Sequence, residues 1–412
     1  MPVRPVPAHR PVHKRHAHQI FVALLLVVLL AVATLGYAAA KPLPAPVTIT
    51  RPVTAQLRGE PALNWPSYGQ AAVAVSGFGV LATHGDQTPT PTASIAKVMT
   101  ALSVLQRKPL GLHQSGPMIT MTQADVDGYN SYLSQDGSVV PVQAGEQISE
   151  YQALEGMLLP SGNNMADTLA RWAFGSLDDY ANYANQFAVE HGWNSLHFAG
   201  ASGFSSDTTG SATDLTKLGM LAMQNPVIAD IVAKPSADLP VAGTVQNYNA
   251  VLGYDGVVGL KTGNNDGDLG AFLFAAKQTI AGRQVTIVGT IMDAPSLYRA
   301  LLDSLPLIRS VSADFKPVTV AAAGQTVGSI QVPWHAPVNL QVKNSVQAVT
   351  WPGQQLTGHV ELDTVRLPVS QHTVIGKLRF HDPLTKQDKS QNIYAATALP
   401  KPGLLWRLQH LW

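Results

Sequence analysis

The order of hydrophobic and polar positions divides the chain into stretches of different character. An uncharged apolar run extends from Ile20 to Ala40, and a proline-rich stretch without helical periodicity follows over 41–64. From there to about residue 312, short apolar runs alternate with amphipathic helical patterns. Beyond about Phe315, short alternating runs are punctuated by Gly and Pro, which is typical of strands. The pattern predicts an exported or anchored N-terminus, a mixed α/β body over 65–312 and a separate β domain over 315–398.

Within the body, the pattern predicts a hairpin, a set of helices and then more strands. Apolar runs over 71–75 and 80–82 flank a glycine turn and predict the hairpin. Pro91 then precedes a helix with a buried apolar stripe, formed by Ile95, Val98, Met99, Leu102 and Leu105. Capping-box spacing predicts three further helix starts, at Ser149, Ser176 and Ser211, the last of these helices ending near Asn225-Pro226. Strands are predicted over 257–260, 271–276 and 285–292.

The first forty residues predict export. Residues 1–18 carry four Arg or Lys residues among prolines and histidines and form a basic n-region on the cytoplasmic side. Residues 19–40 are interpreted as a transmembrane anchor or a signal peptide. The length of the apolar run favours a retained anchor, whereas Ala38-Ala39-Ala40 offers a signal-peptidase site, so cleavage after Ala40 stays open. In either case, the body is predicted to lie outside the cytoplasmic membrane.

The two ends of the exported part are also predicted from their patterns. The prolines of 41–64 indicate an extended tether between the membrane and the body. Residues 399–412 form an amphipathic tail whose apolar positions share one helical face: Leu404, Leu405, Leu408, Leu411 and Trp412. Docking on the β domain and contact with a membrane interface are both open interpretations of this tail.

Composition excludes several classes of function. The chain has 412 residues with 46% hydrophobic content, which suffices for a large core plus a smaller module. A formal net charge of +1 gives no support for nucleic-acid binding. The absence of cysteine from the sequence excludes disulfides, thiolate catalysis and cysteine metal sites.

Three short motifs in chain order carry the candidate chemistry. Ser94 and Lys97 form an SxxK pair at a helix start, Ser161-Gly162-Asn163 forms SxN, and Lys261-Thr262-Gly263 forms KTG. A serine hydroxyl is a weak nucleophile that needs a base within reach, and a lysine three residues later shares its helix face. A second SxN at 390–392 follows KTG in a polar stretch and is interpreted as a chance match. The ordered set predicts a serine acyl-transfer enzyme.

With these motifs in this order, the chain resembles the penicillin-recognising serine enzymes and, within them, the D-alanyl-D-alanine carboxypeptidases. The resemblance covers about 65–398 and includes a block around Ser202-Gly203-Phe204. It implies an α/β fold of the β-lactamase/transpeptidase type, in which an antiparallel sheet packs with a helical cluster, and a C-terminal all-β domain. It also implies peptidoglycan stem peptides as substrates, β-lactam antibiotics as inhibitors, and neither a cofactor nor a metal.

The resemblance assigns a role to each catalytic candidate. Ser94 would attack the carbonyl of a terminal D-Ala-D-Ala amide, and Lys97 in its neutral form would take the proton. Burial and the charge of Lys261 would have to lower the pKa of Lys97 for that role. Ser161 would pass the proton to the leaving amine, while Asn163 would hold Lys97 and the substrate amide.

The KTG segment is implied to bind the substrate. Lys261 and Thr262 would engage the substrate's terminal carboxylate, and Gly263 would let the strand approach the substrate backbone closely. Two backbone amides, those of Ser94 and Asn264, would form the oxyanion hole.

The chain departs from the family pattern at several positions. Gly162-Asn163-Asn164 stands where many relatives carry Ala-Asn-Asp, and Asn264-Asn265-Asp266 stands where a Thr or His often follows KTG. These changes leave substrate preference and rate open. Arg299 is a candidate for the family arginine that helps bind the carboxylate, although a surface salt bridge is the favoured interpretation.

Other functions remain open at this stage. A serine β-lactamase shares the acylation chemistry, but the C-terminal β domain argues against it. A non-catalytic penicillin-binding or peptidoglycan-sensing protein would keep the fold without turnover, and the intact motifs argue against that decay. A DD-endopeptidase would use the same acyl-enzyme, and the sequence does not rank its substrate against that of a carboxypeptidase.

Overall fold

A computed structural model describes residues 13–264 and 269–411. The part of the basic n-region up to residue 12, the Asn265-Asp266 departure and Trp412 lie outside the described residues. The first element is the helix α1 (His13–Ala40). Among the described residues, its segment His16–Ala40 is long and apolar enough to cross a membrane, with a mean hydropathy of 2.8 and no burial inside the protein.

Residues that follow α1 form strands, so the predicted tether is wrong over 47–56. Strands β1 (Val47–Thr50) and β2 (Val53–Gln56) both pair with strands of the C-terminal part of the chain. Each segment can form a strand because it is rich in β-branched residues and its prolines lie before the strands, where no ladder donor is lost. The prediction failed because the partner strands lie in the distant C-terminal part of the chain. Along β2, burial alternates, with Val53 inward and Thr54 outward.

The body that follows combines a sheet with many helices. Its elements in chain order are β3 (Gln70–Val75), β4 (Gly79–His84), β5 (Thr90–Pro91), a 3-10 helix (Ala93–Ala96), α2 (Lys97–Arg107), β6 (Met118–Thr120), α3 (Gln123–Leu133), β7 (Gln147–Ser149), α4 (Glu150–Leu158), α5 (Asn163–Phe174), α6 (Leu177–Glu190), β8 (Thr209–Gly210), α7 (Ala212–Ala222), α8 (Pro226–Val232), β9 (Ser236–Leu239), β10 (Gly243–Gln246), a 3-10 turn (Tyr254–Gly256), β11 (Val257–Asn264), β12 (Gly270–Ile280), β13 (Arg283–Ala294) and α9 (Leu297–Ala313).

The central sheet of the body is antiparallel and covered on both faces. Its strand order is β11-β12-β13-β3-β4. Successive side chains of β3 enter different cores: Ala72 joins the core made with α2, α4, α5, α6, α7 and α8, whereas Ala71 and Val73 join the core under α9. The predicted α/β fold, with an antiparallel sheet packed with a helical cluster, is therefore confirmed.

Most predicted elements of the body are present, with two corrections. The hairpin is β3–β4, and the side chain of Ser149 accepts a hydrogen bond from Gln152 N at the start of α4. However, the first turn of the helix that carries Ser94 is a 3-10 helix. The helix after Ser211 ends at Ala222, not near Asn225-Pro226, because Asn225 caps the next helix and its proline occupies the first turn.

The C-terminal part of the chain is a β structure with a short helix at its end. Its elements are β14 (Lys316–Ala321), β15 (Thr326–Val332), β16 (His335–Val342), β17 (Val346–Thr350), β18 (Gln355–Leu362), β19 (Val374–Asp382), β20 (Gln387–Ala395) and α10 (Leu404–Gln409). The larger sheet has the order β1-β15-β16-β20-β19-β18-β2, and β14 pairs with β17. Within the described residues, the two strands that follow α1 thus stand at the two ends of this order.

The β part packs directly on the body. Phe315 and Trp351 belong to the core under α9, together with Leu384. The ring of Phe315 lies 5.0 Å from that of Phe78 and 5.2 Å from that of Trp351. This aromatic contact ties the hairpin turn between β3 and β4 to the β part of the chain.

The amphipathic tail docks against the end of α1. Arg407 Nη1 donates hydrogen bonds to the carbonyl oxygens of Ala38 at 3.0 Å and Ala39 at 2.9 Å. In return, Lys41 Nζ donates to the carbonyls of His410 at 3.0 Å and Leu411 at 2.8 Å. The last carbonyls of a helix lack partners within the helix, so Arg407 supplies donors where α1 needs them.

Candidate active site

The turn that carries Ser94 is fixed by close backbone contacts. Ala93, the residue before it, has a φ of +48°, and a Cβ on Gly203 would lie 2.0 Å from the Ala93 carbonyl oxygen. Only glycine allows the chain after Ser202 to pass this close, and Gly203 also has a positive φ of +71°. Ser94 is thereby held in the 3-10 helix that leads into α2, and it stays partly exposed in a cleft.

Lys97 is completely buried and contacts three oxygen atoms. Its Nζ lies 2.8 Å from Ser94 Oγ, 2.6 Å from Asn163 Oδ1 and 2.7 Å from the carbonyl oxygen of Ser202. The lysine therefore joins the starts of α2 and α5 to the loop before β8. A three-residue spacing on a helix brings Ser94 and Lys97 together.

Burial holds the pKa of Lys97 well below its ordinary value. Desolvation is the largest cause, because burial disfavours the charged ammonium, and the positive charge of Lys261 acts in the same direction. The carboxylate of Asp167 opposes both effects. A lysine with a lowered pKa can be neutral near pH 7 and accept a proton from a neighbouring hydroxyl.

The SxN segment forms the turn that opens α5. Ser161 is buried and has a φ of +66°, and Asn163 is the first residue of the helix. The backbone N–H of Asn163 donates to the Ser138 carbonyl at 2.8 Å. The side chain of Asn164 accepts a hydrogen bond from the Val140 backbone N–H and donates one to the Val140 carbonyl. The two asparagines therefore hold the backbone segment 138–140, which borders the cleft at Ser138.

The KTG segment lies within β11, which extends beyond the strand predicted over 257–260. The strand continues to Asn264, which is exposed at the cleft. Lys261 is buried, and its Nζ lies 3.2 Å from the Thr262 carbonyl and 3.4 Å from the Thr262 hydroxyl. A Cβ on Gly263 would lie 3.1 Å from the Ala93 Cβ, so glycine keeps β11 close to the turn before Ser94.

Burial lowers the pKa of Lys261 to about 7. Its charge is thus present below neutral pH and is lost as the pH rises through 7. An anionic group that enters the cleft next to β11 would favour the charged form. The two lysines differ in their contacts: Lys97 touches the Ser94 hydroxyl, whereas Lys261 contacts Thr262 on its own strand.

The cleft has a volume of about 780 Å³ and is lined by Ser94, Asn163 and Asn264, the last of which directly follows the KTG motif. Ser94 lies at its base with Asn163, while Asn264 borders it on the β11 side. The lining also includes residues 135–138 and Phe204, a large apolar residue that is 42% exposed. A partly exposed hydroxyl beside a buried lysine, in an open cleft that an extended peptide could enter, suits nucleophilic attack on an acyl group.

Sequence reasoning missed part of the surroundings of Lys97. Ser202 was noticed only as part of a block, although its carbonyl is the third acceptor for Lys97. Asp167 and Tyr132 were not noticed, and the Tyr132 hydroxyl donates to Asp167 Oδ2 at 2.8 Å. A signal for Asp167 exists, since it lies four positions after Asn163, so that a helix beginning at Asn163 places both side chains on one face.

Arg299 lies in a surface ion pair. Its guanidinium contacts Asp303 Oδ2 at 3.0 Å, four residues along α9, and its side chain is 54% exposed. Tyr68 donates to the same carboxylate oxygen at 2.6 Å. Arg299 is not among the residues that line the cleft, so the salt-bridge interpretation is the one that the structure supports.

Comparison with protein families gives one match over the body of the chain. The sequence pattern of the family described as D-alanyl-D-alanine carboxypeptidase matches residues 71–296. A D-alanyl-D-alanine carboxypeptidase from Mycobacterium tuberculosis, DacB2, is 32% identical over 215 residues, which is 50% of this chain and 69% of that protein. A D-alanyl-D-alanine carboxypeptidase from Streptomyces sp. strain K15 is 28% identical over 235 residues, covering 53% of this chain and 77% of its own length.

Solved structures give the same fold. The DD-transpeptidase of Streptomyces K15 aligns with 62% of this chain and 98% of its own, with a TM-score of 0.52 and 23% identity. The D-alanyl-D-alanine carboxypeptidase DacD from Francisella tularensis aligns with 84% of this chain and 97% of its own, with a TM-score of 0.58 and 18% identity. The second alignment extends beyond the length of the body, which supports a shared fold for the C-terminal β part as well.

Proposed function

We propose that this chain, which belongs to the D-alanyl-D-alanine carboxypeptidase family, works through an acyl-enzyme on Ser94. It is a serine peptidase that acts on peptidoglycan stem peptides and removes their terminal D-alanine. The observation that carries the assignment to Ser94 is the 2.8 Å contact between its Oγ and Nζ of the buried Lys97.

Acylation begins with attack of Ser94 Oγ on the carbonyl carbon of the D-Ala-D-Ala amide. Neutral Lys97 takes the hydroxyl proton as the new C–O bond forms. Collapse of the tetrahedral intermediate breaks the C–N bond, and Ser161 relays the proton from the Lys97 ammonium to the leaving amine of D-alanine, which returns Lys97 to its neutral form. Asn163 Oδ1 and the Ser202 carbonyl stabilise the lysine while it is charged, because both accept hydrogen bonds from its Nζ. Water then hydrolyses the ester and restores the Ser94 hydroxyl.

The β11 side of the cleft binds the substrate in this proposal. Charged Lys261 and the Thr262 hydroxyl engage the terminal carboxylate of the peptide, and the acyl segment lies along β11 next to Gly263. The amides of Ser94 and Asn264 donate to the developing oxyanion. Support comes from the position of Asn264 at the cleft and from the close approach of Gly263 to the turn before Ser94.

Penicillin labelling tests the nucleophile. A fluorescent penicillin should form a stable covalent adduct with the wild-type protein, and Ser94→Ala should abolish it. Mass spectrometry of the adduct should place it on the peptide that contains Ser94; an adduct on another residue would contradict the assignment. Release of D-alanine from a stem pentapeptide then separates a carboxypeptidase from a protein that only binds penicillin.

We further propose that α1 anchors the protein in the cytoplasmic membrane with the catalytic body outside. The apolar segment His16–Ala40 supports an anchor, and basic residues precede it. A reporter fused to the C-terminus should be active only outside the cytoplasm. Intact mass of the protein from membranes decides whether the helix is retained, since a mature N-terminus at Lys41 would exclude the anchor but not export.

A further inference from the structure

A buried tyrosine–carboxylate pair lies behind the lysine of the cleft. Asp167 is one helical turn after Asn163 on α5 and is 8% exposed. Its Oδ2 accepts a hydrogen bond from the Tyr132 hydroxyl at 2.8 Å. No ion pair to Asp167 is formed by the residues that the structure describes, since the nearby Arg171 binds Asp125 at 2.9 Å. A carboxyl group buried with one phenol partner requires an explanation.

The pair is linked to Lys97 by a continuous set of contacts. The Tyr132 oxygen lies 3.3 Å from Ser202 Oγ, and the Phe204 amide donates to that same Oγ at 3.3 Å. The carbonyl of Ser202 in turn accepts from Lys97 Nζ at 2.7 Å. The rings of Tyr132 and Phe204 meet edge to face at 5.2 Å, so the phenol also fixes the wall of the cleft.

We propose that Asp167 and Tyr132 are positioning residues, which hold the Ser202 carbonyl against Lys97 and place a carboxylate next to this base. The proposal rests on the role of Lys97 in the proposed function. A negative charge near Lys97 stabilises the ammonium that forms when Ser94 gives up its proton. Tyr132 keeps the carboxylate in place by donating to it.

The charges around Asp167 come from several elements. Lys97 on α2 and Arg171 on α5 favour its ionised form, as does the hydrogen bond from Tyr132 on α3, whereas Asp125 and burial disfavour it. Burial has the largest effect and raises the pKa of Asp167 above its ordinary value. Tyr180 on α6 also senses this charge. Lys261 is the neighbour that acts on Lys97 from the sheet side.

The pH profile of acylation tests the pair. The rate constant for labelling by fluorescent penicillin is measured on the full chain in detergent over a range of pH values, and deprotonation of Lys97 is expected to appear as a rising limb of the profile of rate against pH. Asp167→Asn removes the charge but keeps an acceptor for Tyr132. Because a nearby carboxylate raises the pKa of Lys97, its loss should move the midpoint of the rising limb to lower pH by about one unit. Tyr132→Phe should lower the rate at its optimum several-fold while keeping the ring contact with Phe204.

A second tyrosine–aspartate pair in the protein provides matched controls. Tyr151 donates to Asp230 between α4 and α8, and neither residue lines the cleft. Asp230→Asn and Tyr151→Phe should change neither the midpoint nor the rate. Circular dichroism establishes the fold of each variant. A general loss of packing around Lys97 would relieve its desolvation and move the midpoint to higher pH, which is opposite to the shift expected for Asp167→Asn.

The outcomes separate this proposal from the proposed function. An unchanged midpoint in folded Asp167→Asn overturns the role of the carboxylate. If that variant does not fold, Tyr132→Phe decides, and a rate equal to wild type overturns the pair. If wild-type protein is not labelled on Ser94 at all, the proposed function itself fails. If wild-type protein is labelled on Ser94 and the Asp167 and Tyr132 variants keep its midpoint and its rate, only the proposal for the positioning pair is rejected.

Discussion

The pKa of Lys261 makes substrate recognition depend on pH in a way that can be separated from catalysis. Burial lowers this pKa to about 7, so the ammonium that is proposed to bind the carboxylate is mostly charged at pH 6 and mostly neutral at pH 8. The charged fraction falls about tenfold between these two pH values. Deprotonation of Lys97, in contrast, should promote acylation of every substrate as the pH rises.

A pair of inhibitors with and without the carboxylate isolates the Lys261 effect. We expect the ratio of the acylation rate constants of a penicillin and its methyl ester to fall about tenfold from pH 6 to pH 8. The contribution of Lys97 is common to both compounds and cancels in the ratio. Stopped-flow or gel-based labelling measures both rates on the same protein.

The matching variant is Lys261→Ala. It should lower the rate for the carboxylate compound towards that of the ester and make the ratio independent of pH. Lys97→Ala should instead stop acylation by both compounds. A constant ratio in the wild-type protein, or a pH-dependent ratio that persists without Lys261, would refute the assignment of this lysine to the carboxylate.

Three further predictions concern parts of the protein outside the cleft. Both carboxylate oxygens of Glu150 are buried without a hydrogen-bond partner in the described part of the chain, and burial raises its pKa to about 7. Its ionisation therefore destabilises the fold as the pH rises from the ordinary pKa of Glu through 7. Glu150→Gln should raise the free energy of unfolding, measured in urea, by about 3 kcal/mol at pH 8 but not at pH 4. An equal gain at both pH values, or the same gain in the exposed Glu190→Gln, would contradict this. Arg407→Ala should speed hydrogen exchange in α10 without altering penicillin labelling, and unchanged exchange would mean that its bonds to α1 are unimportant. A fragment of residues 61–312 should still bind penicillin and release D-alanine, with lower thermal stability because Phe78 loses its aromatic partner; a folded fragment without acylation would show that the β part helps to build the site.

Local patterns predicted much of the body. The apolar run over 71–75 and the three-residue spacing of Ser94 and Lys97 depend on neighbours in sequence, and both have the expected geometry. The cap of α4 at Ser149 was also predictable, because it depends on a serine side chain and the backbone amide of Gln152, three residues later. Family resemblance supplied the antiparallel sheet that local pattern alone does not specify.

Features that depend on distant parts of the chain were not predictable in this way. Strands β1 and β2 were interpreted as a tether because five prolines surround them, and their partners lie in the C-terminal part of the chain. The contact between Tyr132 and Asp167 joins two helices, and no spacing rule connects these residues. For the amphipathic tail, the periodicity indicated a helix but not that Arg407 would bind the end of α1.

The pairing of β1 and β2 has a consequence for the order in which the protein can fold. These strands are synthesised before the body, whereas their partners β15 and β18 are synthesised after it. The β sheet therefore cannot be completed until nearly the whole chain has emerged, and such long-range closure slows folding. Until then β1 and β2 have no partners, and a sheet without them would end at β15 and β18, whose unpaired backbone groups can recruit strands from other molecules. Residues 47–56 thus act late, as covers for two sheet edges, and a chain that lacks them is expected to self-associate even when its catalytic cleft is intact.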